Sequence, residues 1–407
     1  MTDAAFGGFR YAVLGAGRQG TAAAYDLALR GQAQSVVVGD YDLSIAQAAA
    51  DRVNRLLAES AGRDTATVQV TATQVNARDH ASLVTFLHGV DSFLSAVPFV
   101  FNLGVTRAAI EAGASMCDLG GNTDLVREQL RFSPQAEAAG ISIIPDCGQV
   151  PGMGTTLMAY ALSLLDEPEG VSMWDGGIPQ KPQEPWNYKL TFHLNGLSNE
   201  YYGSTMVLRH GQLTEIKCFD PSEYELIEFP EPIGTLEAFA TAGGTSTAPW
   251  TYLGKLKTYQ NKTLRYPGHA AQWKAFSDAG LLELEPVEVN GVRVVPREVL
   301  HALIGPKIEA PPNFRDMVLI RTLATGRHQD KAAEAQVDLV DYYDELTGFT
   351  AMERTTGWDG AIVAQMMARG ETPRGAVPVE LAVDPAKFVA QLRQRGFALA
   401  EEVRFKE

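Results

Sequence analysis

The stretch that decides the fold is Phe9-Arg-Tyr-Ala-Val-Leu-Gly-Ala-Gly-Arg-Gln-Gly20, which an alanine-rich segment and then Ser35-Val-Val-Val-Gly-Asp40 follow. Its first six residues are mostly apolar and predict a β-strand. The alanine-rich residues Thr21–Arg30 predict a helix, and the β-branched run after them predicts a second strand that ends in an acid. A strand, a glycine-rich turn, a helix and a strand in this order predict a βαβ unit.

The three glycines of the turn each have a physical task. Gly15 allows the tight turn, Gly17 lets the backbone approach a pyrophosphate, and Gly20 lets the helix pack closely. The pyrophosphate is expected at the helix N-terminus, where free N–H groups and the helix dipole favour an anion. Asp40 is expected to accept hydrogen bonds from the adenosine ribose, so its charge favours NAD over NADP. Arg18 lies in the same loop and is long enough to reach a phosphate.

Further strands are predicted at 68–73, 90–98, 115–119 and 141–146, with helices at 43–60 and 104–112. This alternation predicts an α/β fold with a Rossmann-type, doubly wound parallel sheet over residues 1–150. Residues after the later strands are expected at its ligand-binding carboxyl edge, with ordinary loop chemistry as the alternative. The predicted cofactor-binding residues are Gly15, Gly17, Arg18, Gln19, Gly20, Asp40, Ala96, Val97, Pro98, Asp118, Gly120 and Asn122.

The pattern changes at about Pro151. After an apolar helix at 155–165, the aromatic and alternating residues Tyr188–Leu194 predict a strand. Such segments indicate a mixed or antiparallel sheet, and therefore an inserted α+β domain over 151–350. Another helix is predicted from Trp358 to Arg369.

Composition excludes several classes of protein. The chain has 407 residues, of which 45% are hydrophobic, enough for about two or three domains. Its net charge of -15 argues against a nucleic-acid partner. No apolar run of about 18 residues predicts a membrane span, and the start, MTDAAFGGFR, does not read as a secretory signal. The 3 cysteines are far apart, so neither a disulfide framework nor a metal site is expected. The same pattern predicts a reducing, cytoplasmic location.

The motifs of the chain resemble those of the saccharopine dehydrogenase-like superfamily, and within it most of all the L-lysine 6-dehydrogenases. The resemblance runs from about Arg10 to Gly370 and is weakest between about Glu283 and Lys331. Besides the glycine-rich turn, it rests on Ser95-Ala-Val-Pro98, Cys117-Asp-Leu-Gly-Gly-Asn122, Asp146-Cys-Gly-Gln-Val-Pro-Gly-Met-Gly154, Gly176-Gly-Ile-Pro-Gln-Lys-Pro182, Tyr188-Lys189, Glu200-Tyr201, Leu264-Arg-Tyr-Pro-Gly-His269 and Thr355-Thr-Gly357.

The resemblance implies an oxidoreductase acting on a CH–NH2 or CH–NH group of a lysine-derived amino acid. It implies that the inserted domain binds substrate and forms a homodimer, and that 351–407 return to the nucleotide domain. Val150 stands where saccharopine reductases carry an aspartate, which favours NAD-dependent deamination of L-lysine at its ε-amine to 2-aminoadipate 6-semialdehyde and ammonia. Alternatives are a saccharopine or carboxynorspermidine dehydrogenase-like enzyme, and a non-catalytic NAD-binding sensor.

For each candidate substrate-binding or catalytic residue, a purely structural role is the alternative interpretation. Arg265 offers a bidentate fork for a substrate carboxylate, or forms an ion pair. The helix start at Gly152 would hold a carboxylate, or simply ends a loop. His269 is the preferred base because histidine titrates near neutral pH, unless it is buried in the core. Lys189 would orient substrate, or is a solvated strand residue.

The predicted catalytic residues are thus His269 and Lys189. The predicted substrate-binding residues are Phe99, Gln149, Val150, Gly152, Tyr188, Arg265 and Tyr266. Cys147 is interpreted as a small buried residue, because hydride transfer needs no nucleophile.

Overall fold

The computed structural model describes residues 8–60 and 68–406. Residues 1–7, on which the expectation about a secretory signal depends, lie outside the described residues. The chain forms two compact units. The first extends to Thr156 and includes Glu353–Gln391, and the second comprises Leu157–Met352 and the residues from Leu392 onward.

The first part of the chain alternates strands and helices. They are β1 (Phe9–Leu14), α1 (Arg18–Arg30), β2 (Ala33–Asp40), α2 (Leu43–Ser60), β3 (Val70–Gln74), α3 (His80–Leu87), β4 (Ser92–Ser95), a short 3-10 helix (Phe99–Phe101), α4 (Asn102–Ala112), β5 (Ser115–Asp118), α5 (Thr123–Leu130), α6 (Ser133–Ala138), β6 (Ser142–Ile144) and α7 (Met153–Ser163).

Longer strands dominate the middle of the chain. They are, with their helices, β7 (Glu167–Pro179), α8 (Leu194–Glu200), β8 (Ser204–Arg209), β9 (Gln212–Lys217), a 3-10 helix (Pro221–Glu223), β10 (Glu225–Phe229), β11 (Gly234–Phe239), α9 (Ala248–Thr251), β12 (Thr258–Arg265), α10 (His269–Asp278), β13 (Val287–Val289), β14 (Val292–Val294), α11 (Pro296–Ile308), β15 (Asp316–His328) and β16 (Lys331–Tyr342). The last elements are α12 (Ala351–Ala368), β17 (Gly375–Ala376), α13 (Val379–Ala382), α14 (Pro385–Gln394) and β18 (Ala398–Phe405).

The first unit contains the predicted doubly wound sheet. Over its described residues, 7 strands run in the order β17-β6-β5-β4-β1-β2-β3, and each neighbouring pair is parallel. Its core joins apolar residues of the central strands, such as Leu14, Phe93, Met116 and Ile143, to the helices that cover them. The prediction of a Rossmann-type parallel sheet is confirmed.

The second unit contains the predicted mixed sheet. Its described residues form 9 strands, with the path β10-β11-β12-β7-β15-β16-β18 and with β8 and β9 joined to it through β12. The β12–β7 pair is parallel, whereas β15 pairs antiparallel with both β7 and β16. Residues along β16 alternate between buried and half-buried, as expected when the two faces of a sheet differ. The prediction of a second domain with a mixed sheet is confirmed.

Two predictions from sequence are wrong. Tyr188–Leu194 is not a strand: it makes only an isolated bridge, between Leu190 and Glu309, and then enters α8. Its aromatic residues pack in a cluster with helical residues, so their spacing reflects burial and not sheet pairing. The return of 351–407 to the first unit is wrong for 392–407, because β18 pairs antiparallel with β16 in the second unit.

Within the described residues, no helix has the length and apolar character that crossing a membrane requires.

Candidate functional site

The turn after β1 has the shape that a dinucleotide needs. Gly15 has a φ of 102°, and a Cβ there would lie 2.8 Å from the Ala96 carbonyl oxygen. A Cβ on Gly20 would lie 1.9 Å from the Gly15 carbonyl oxygen, so only glycine lets α1 approach the turn. Gly17 is exposed, and a Cβ there would meet nothing within 4 Å. The open space lies at the N-terminus of α1, so the loop fits a pyrophosphate.

Asp40 lies at the end of β2 and is fixed against this turn. Its Oδ2 accepts a hydrogen bond from the Ala16 amide at 2.8 Å, and its Oδ1 accepts one from the Asp42 amide at 3.1 Å. Hydrogen bonds from Ser44 hold the pKa of the neighbouring Asp42 below its usual value, so Asp42 also stays charged. A second carboxylate, that of Asp42, therefore lies two residues beyond Asp40 at this end of β2, and sequence reasoning had singled out only Asp40.

The other predicted cofactor residues divide into accessible and internal ones. Arg18 and Pro98 are exposed, whereas Gln19, Ala96 and Val97 are half-buried. Phe99 is half-buried and contacts the position where a Cβ on Gly121 would lie, at 3.1 Å.

Asp118 is buried below the surface of the carboxyl edge. Its Oδ1 accepts from the Gly120 amide at 2.8 Å and its Oδ2 from Gln129 Nε2 at 2.7 Å, and burial raises its pKa. The side chain shapes the loop after β5 from inside. Asn122 caps α5 by accepting from the Leu125 amide at 3.0 Å, which is the loop role that sequence reasoning gave as its alternative.

The loop before α7 does not offer the free amides that sequence reasoning expected. The Gly152 amide donates to Thr155 Oγ1 at 3.2 Å, and the Met153 and Gly154 amides donate to the Gly148 and Gln149 carbonyl oxygens at 2.8 and 2.9 Å. Gly152 has a φ of 133° and is buried. Because these three amides are already used within the loop, the prediction that they hold a substrate carboxylate is wrong. Gln149 and Val150 are half-buried beside them.

In the second unit, Arg265 forms the centre of a buried polar cluster. At the end of β12, its Nη2 donates to Glu200 Oε1 at 3.0 Å, its Nε to Tyr201 Oη at 3.0 Å and its Nη1 to the Leu264 carbonyl oxygen at 2.9 Å. The guanidinium also lies 5.2 Å from the ring centre of Tyr188. The ion pair that sequence reasoning gave as the alternative to carboxylate binding is therefore the observed arrangement.

His269 belongs to the same cluster and is neutral. It is the first residue of α10, whose N-terminus is capped by Glu237 through the Gly268 and Ala270 amides at 3.0 and 2.5 Å. Its Nε2 is hydrogen-bonded to Tyr201 Oη at 2.8 Å. Burial, and then the charge of Arg265, hold the pKa of His269 well below its usual value. The prediction that this histidine titrates near neutral pH is wrong, because sequence gives no measure of burial.

Sequence reasoning missed Glu200 as a site residue. It is the last residue of α8, and its Oε1 accepts from both Arg265 and Thr263, the latter at 3.1 Å. Burial raises the pKa of this carboxyl, and the Arg265 charge opposes that rise. Glu200 and Arg265 are 65 residues apart in sequence, so spacing does not reveal their contact. The one sequence signal for Glu200 was its place beside Tyr201 in a motif shared with the resembling superfamily.

Three other candidates have structural roles. Lys189 Nζ donates to the Lys307 carbonyl oxygen at 3.0 Å, in the last turn of α11, where a cation is favourable. Tyr266 Oη donates to the Pro179 carbonyl oxygen at 2.9 Å. Cys147 is buried, and burial raises its pKa, so its thiol is a poor nucleophile.

Over residues 8–60 and 68–406 no group of at least 3 His, Cys, Asp or Glu side chains is arranged to hold a metal ion.

The fold and the glycine-rich turn together define a dinucleotide-binding α/β protein with a mixed-sheet second unit. Two family models match the chain: the saccharopine dehydrogenase NADP binding domain over residues 11–144 and the saccharopine dehydrogenase C-terminal domain over residues 148–397. The chain belongs to the saccharopine dehydrogenase family, so the resemblance seen in the motifs is confirmed at this level.

Named relatives are distant and mostly longer. Alpha-aminoadipic semialdehyde synthase, mitochondrial, of Rattus norvegicus is 22% identical over 391 residues, which cover 79% of this chain and 41% of the relative. Saccharopine dehydrogenase [NADP(+), L-glutamate-forming] of Saccharomyces cerevisiae is 22% identical over 245 residues, which cover 58% and 54%. The chain thus spans between 37% and 54% of the length of such relatives.

A solved structure shares the fold. The apo saccharopine dehydrogenase (L-Glu forming) from Saccharomyces cerevisiae superposes with a TM-score of 0.75 at 18% identity, covering 98% of this chain and 100% of that one.

Proposed function

We propose that this protein is an NAD-dependent oxidoreductase that removes the ε-amine of L-lysine, giving 2-aminoadipate 6-semialdehyde and ammonia. The observation that carries the proposal is the turn from Gly15 to Gly20, open at Gly17 and flanked by the Asp40 carboxylate. Membership of the saccharopine dehydrogenase family supports a lysine-derived substrate. By the resemblance, Val150 stands at a position where saccharopine reductases carry an aspartate. This difference supports the primary amine of L-lysine over saccharopine as the substrate.

The chain's own residues would bind the cofactor in the first unit. The amides at the start of α1 would hold the pyrophosphate, and Asp40 would hold the ribose hydroxyls. When bound, the oxidised dinucleotide accepts a hydride from the carbon that carries the amine. The resulting imine takes up water and releases ammonia, so one lysine, one NAD+ and one water give one aldehyde, one ammonia, one NADH and one proton.

NAD in preference to NADP is part of the proposal. Asp40 ends β2 beside the turn and Asp42 follows it, and carboxylates beside the ribose would repel the 2′-phosphate of NADP, whereas the exposed Arg18 of the turn would attract it. The matching family model is described as NADP binding, so the preference rests on the two carboxylates alone. It is a property to be measured with both cofactors.

The test is to mix the purified protein with NAD or NADP and one amine, and to follow the absorbance of the reduced nicotinamide at alkaline pH. L-lysine with NAD is expected to give the fastest rate. A Gly17→Val variant, in which a side chain fills the pyrophosphate space, is the matched negative control. Turnover of saccharopine or of a carboxyalkyl-polyamine without turnover of L-lysine would contradict the proposal.

Saccharopine is the second candidate substrate, because the relative from Saccharomyces cerevisiae is named a saccharopine dehydrogenase. The relative from Rattus norvegicus is named for alpha-aminoadipic semialdehyde. Tight NAD binding in calorimetry without turnover of any amine would instead favour the sensor. The homodimer and the cytoplasmic location stay predictions from sequence, and sedimentation of the full chain would test the first.

A further inference from the structure

The chain contains two asparagines that are each followed by a glycine, and the structure places them in different surroundings. Asn290-Gly291 is the turn between β13 and β14, whereas Asn195-Gly196 lies within α8. Asparagine is a chemically labile residue, and a following glycine has no side chain to hinder attack by its own amide nitrogen on the asparagine side chain. The surrounding structure therefore decides which of the two pairs reacts.

The β13–β14 hairpin is small and exposed. Among the described residues its two strands pair only with each other and form a sheet of 2 strands. Asn290 and Gly291 are both exposed, and their φ values of 52° and 79° have the signs that a type I′ turn requires. An isolated two-stranded hairpin is at best marginally stable in water, so this turn opens more readily than the large sheets do.

The Gly291 amide nitrogen, which is the nucleophile of this reaction, is unrestrained. No hydrogen bond from it, and none to or from the Asn290 side chain, is found over residues 8–60 and 68–406. A Cβ at Gly291 would meet nothing within 4 Å, so no neighbouring group crowds the turn. The two reacting groups are therefore free to approach each other whenever the hairpin opens.

Asn195-Gly196 is held by its helix. The Asn195 amide donates to His193 Nδ1 at 3.2 Å, which caps α8. A cyclic imide between the Asn195 side chain and the Gly196 nitrogen needs a backbone ψ far from the helical value of about −42°. The helix would have to open first, and the burial of Leu197, which is 0% exposed, opposes that opening. The pair in α8 is thus an internal control for the pair in the hairpin.

We infer that Asn290 is a site of spontaneous deamidation. The Gly291 amide nitrogen attacks Cγ of Asn290, the side-chain nitrogen leaves as ammonia, and a cyclic imide forms. Water then opens the imide at either of its two carbonyl groups, which gives aspartate or isoaspartate at position 290. One water is consumed and one ammonia is released, and no group is oxidised or reduced, so the reaction needs no partner besides solvent.

The products change the hairpin. Either product adds a negative charge two residues from Glu288. Isoaspartate also places an extra carbon in the backbone, which a type I′ turn does not accommodate, so the pairing of Val289 with Val292 should be lost. Modified chains are expected to lose the hairpin and to keep the 9-stranded sheet, to which neither of its strands belongs.

The test incubates the purified full chain at mildly alkaline pH in water enriched in the heavy oxygen isotope, and then locates the label by peptide mass spectrometry. Because α8 must open before Asn195 reacts, we expect the Asn290 peptide to take up label at least about tenfold faster than the Asn195 peptide. A methyltransferase specific for isoaspartate should modify the same peptide. Equal rates of labelling in the two peptides of the folded chain would overturn the inference.

Two controls separate the chemistry from the structure. In concentrated urea both pairs are unfolded, so their peptides should label at rates within about threefold of each other. Gly291→Ala keeps the asparagine but adds a Cβ beside the attacking nitrogen, and it should slow labelling at Asn290 by about tenfold. Labelling at Asn290 that is about 100-fold slower in the folded chain than in urea would show that the hairpin protects it, and would overturn the inference.

Discussion

The turn in the first unit and the Arg265 cluster in the second unit differ in whether their polar groups are already bonded within the chain. At the turn, Gly17 leaves backbone and space exposed for a ligand that the chain itself does not supply. In the cluster, Arg265 is surrounded by acceptors of its own chain, and only Glu200 keeps an accessible oxygen. A polar residue in a recognisable motif therefore does not necessarily bind a ligand. Only those of its hydrogen-bonding groups that are not already bonded to neighbouring residues are available to do so.

The largest effect is expected from Arg265→Ala. It leaves the Glu200 carboxylate without its cation in a largely buried setting, so the free energy of unfolding should fall by about 3–5 kcal/mol. Urea denaturation measures this. The double variant Arg265→Ala with Glu200→Ala removes both charges and should lose less than the sum of the two single variants. A single variant as stable as wild type would show that the cluster is not held by this pair.

A smaller effect separates the two glycines of the turn. Gly20→Ala places a Cβ 1.9 Å from the Gly15 carbonyl oxygen and should cost about 1–3 kcal/mol of unfolding free energy. Gly17→Ala meets nothing within 4 Å, so its stability should stay within about 0.5 kcal/mol of wild type while NAD affinity falls. Thermal denaturation and calorimetry on both variants check this. Equal losses of stability would mean that Gly17 is also a packing residue.

Cofactor choice should respond to the acid that ends β2. Asp40→Asn keeps an oxygen for the Ala16 amide but removes the charge, so the preference for NAD over NADP should fall about tenfold, equivalent to about 1.4 kcal/mol. The ratio of the two dissociation constants is the measurement, and Asp42→Asn shows the share of the second carboxylate. An unchanged ratio would remove the charge argument for NAD.

The smallest effect concerns the pH dependence of stability. His269 has a folded pKa well below its unfolded value, so the unfolded chain binds the extra proton and stability is lost as pH falls below about 6.5. Between pH 7 and pH 6 this histidine should remove about 0.7 kcal/mol of unfolding free energy. His269→Gln should lack that contribution in denaturation curves at the two pH values. An identical loss in the variant would assign the dependence to other groups.

Local patterns predicted much of the fold. The strand Phe9–Leu14 and the helix Leu43–Ser60 have the same bounds in the sequence prediction and in the structure, because a mostly apolar run determines the strand and the spacing of apolar residues determines the helix. Tyr188–Leu194 has the alternation of a strand, yet its aromatic residues pack against helices that sequence spacing does not reveal. The same limit affects the site: the partner of Arg265 and the low pKa of His269 both depend on burial created by distant parts of the chain.

The order of the strands also has a consequence for synthesis on the ribosome. When translation has reached Met352, each of the two sheets still lacks one strand: β17 is missing beside β6, and β18 is missing beside β16. Nascent or prematurely terminated chains of that length therefore expose the edges of β6 and β16 that β17 and β18 cover in the structure, and other chains can pair with these edges. A stop codon soon after Met352 is expected to send the product into aggregates and chaperone complexes.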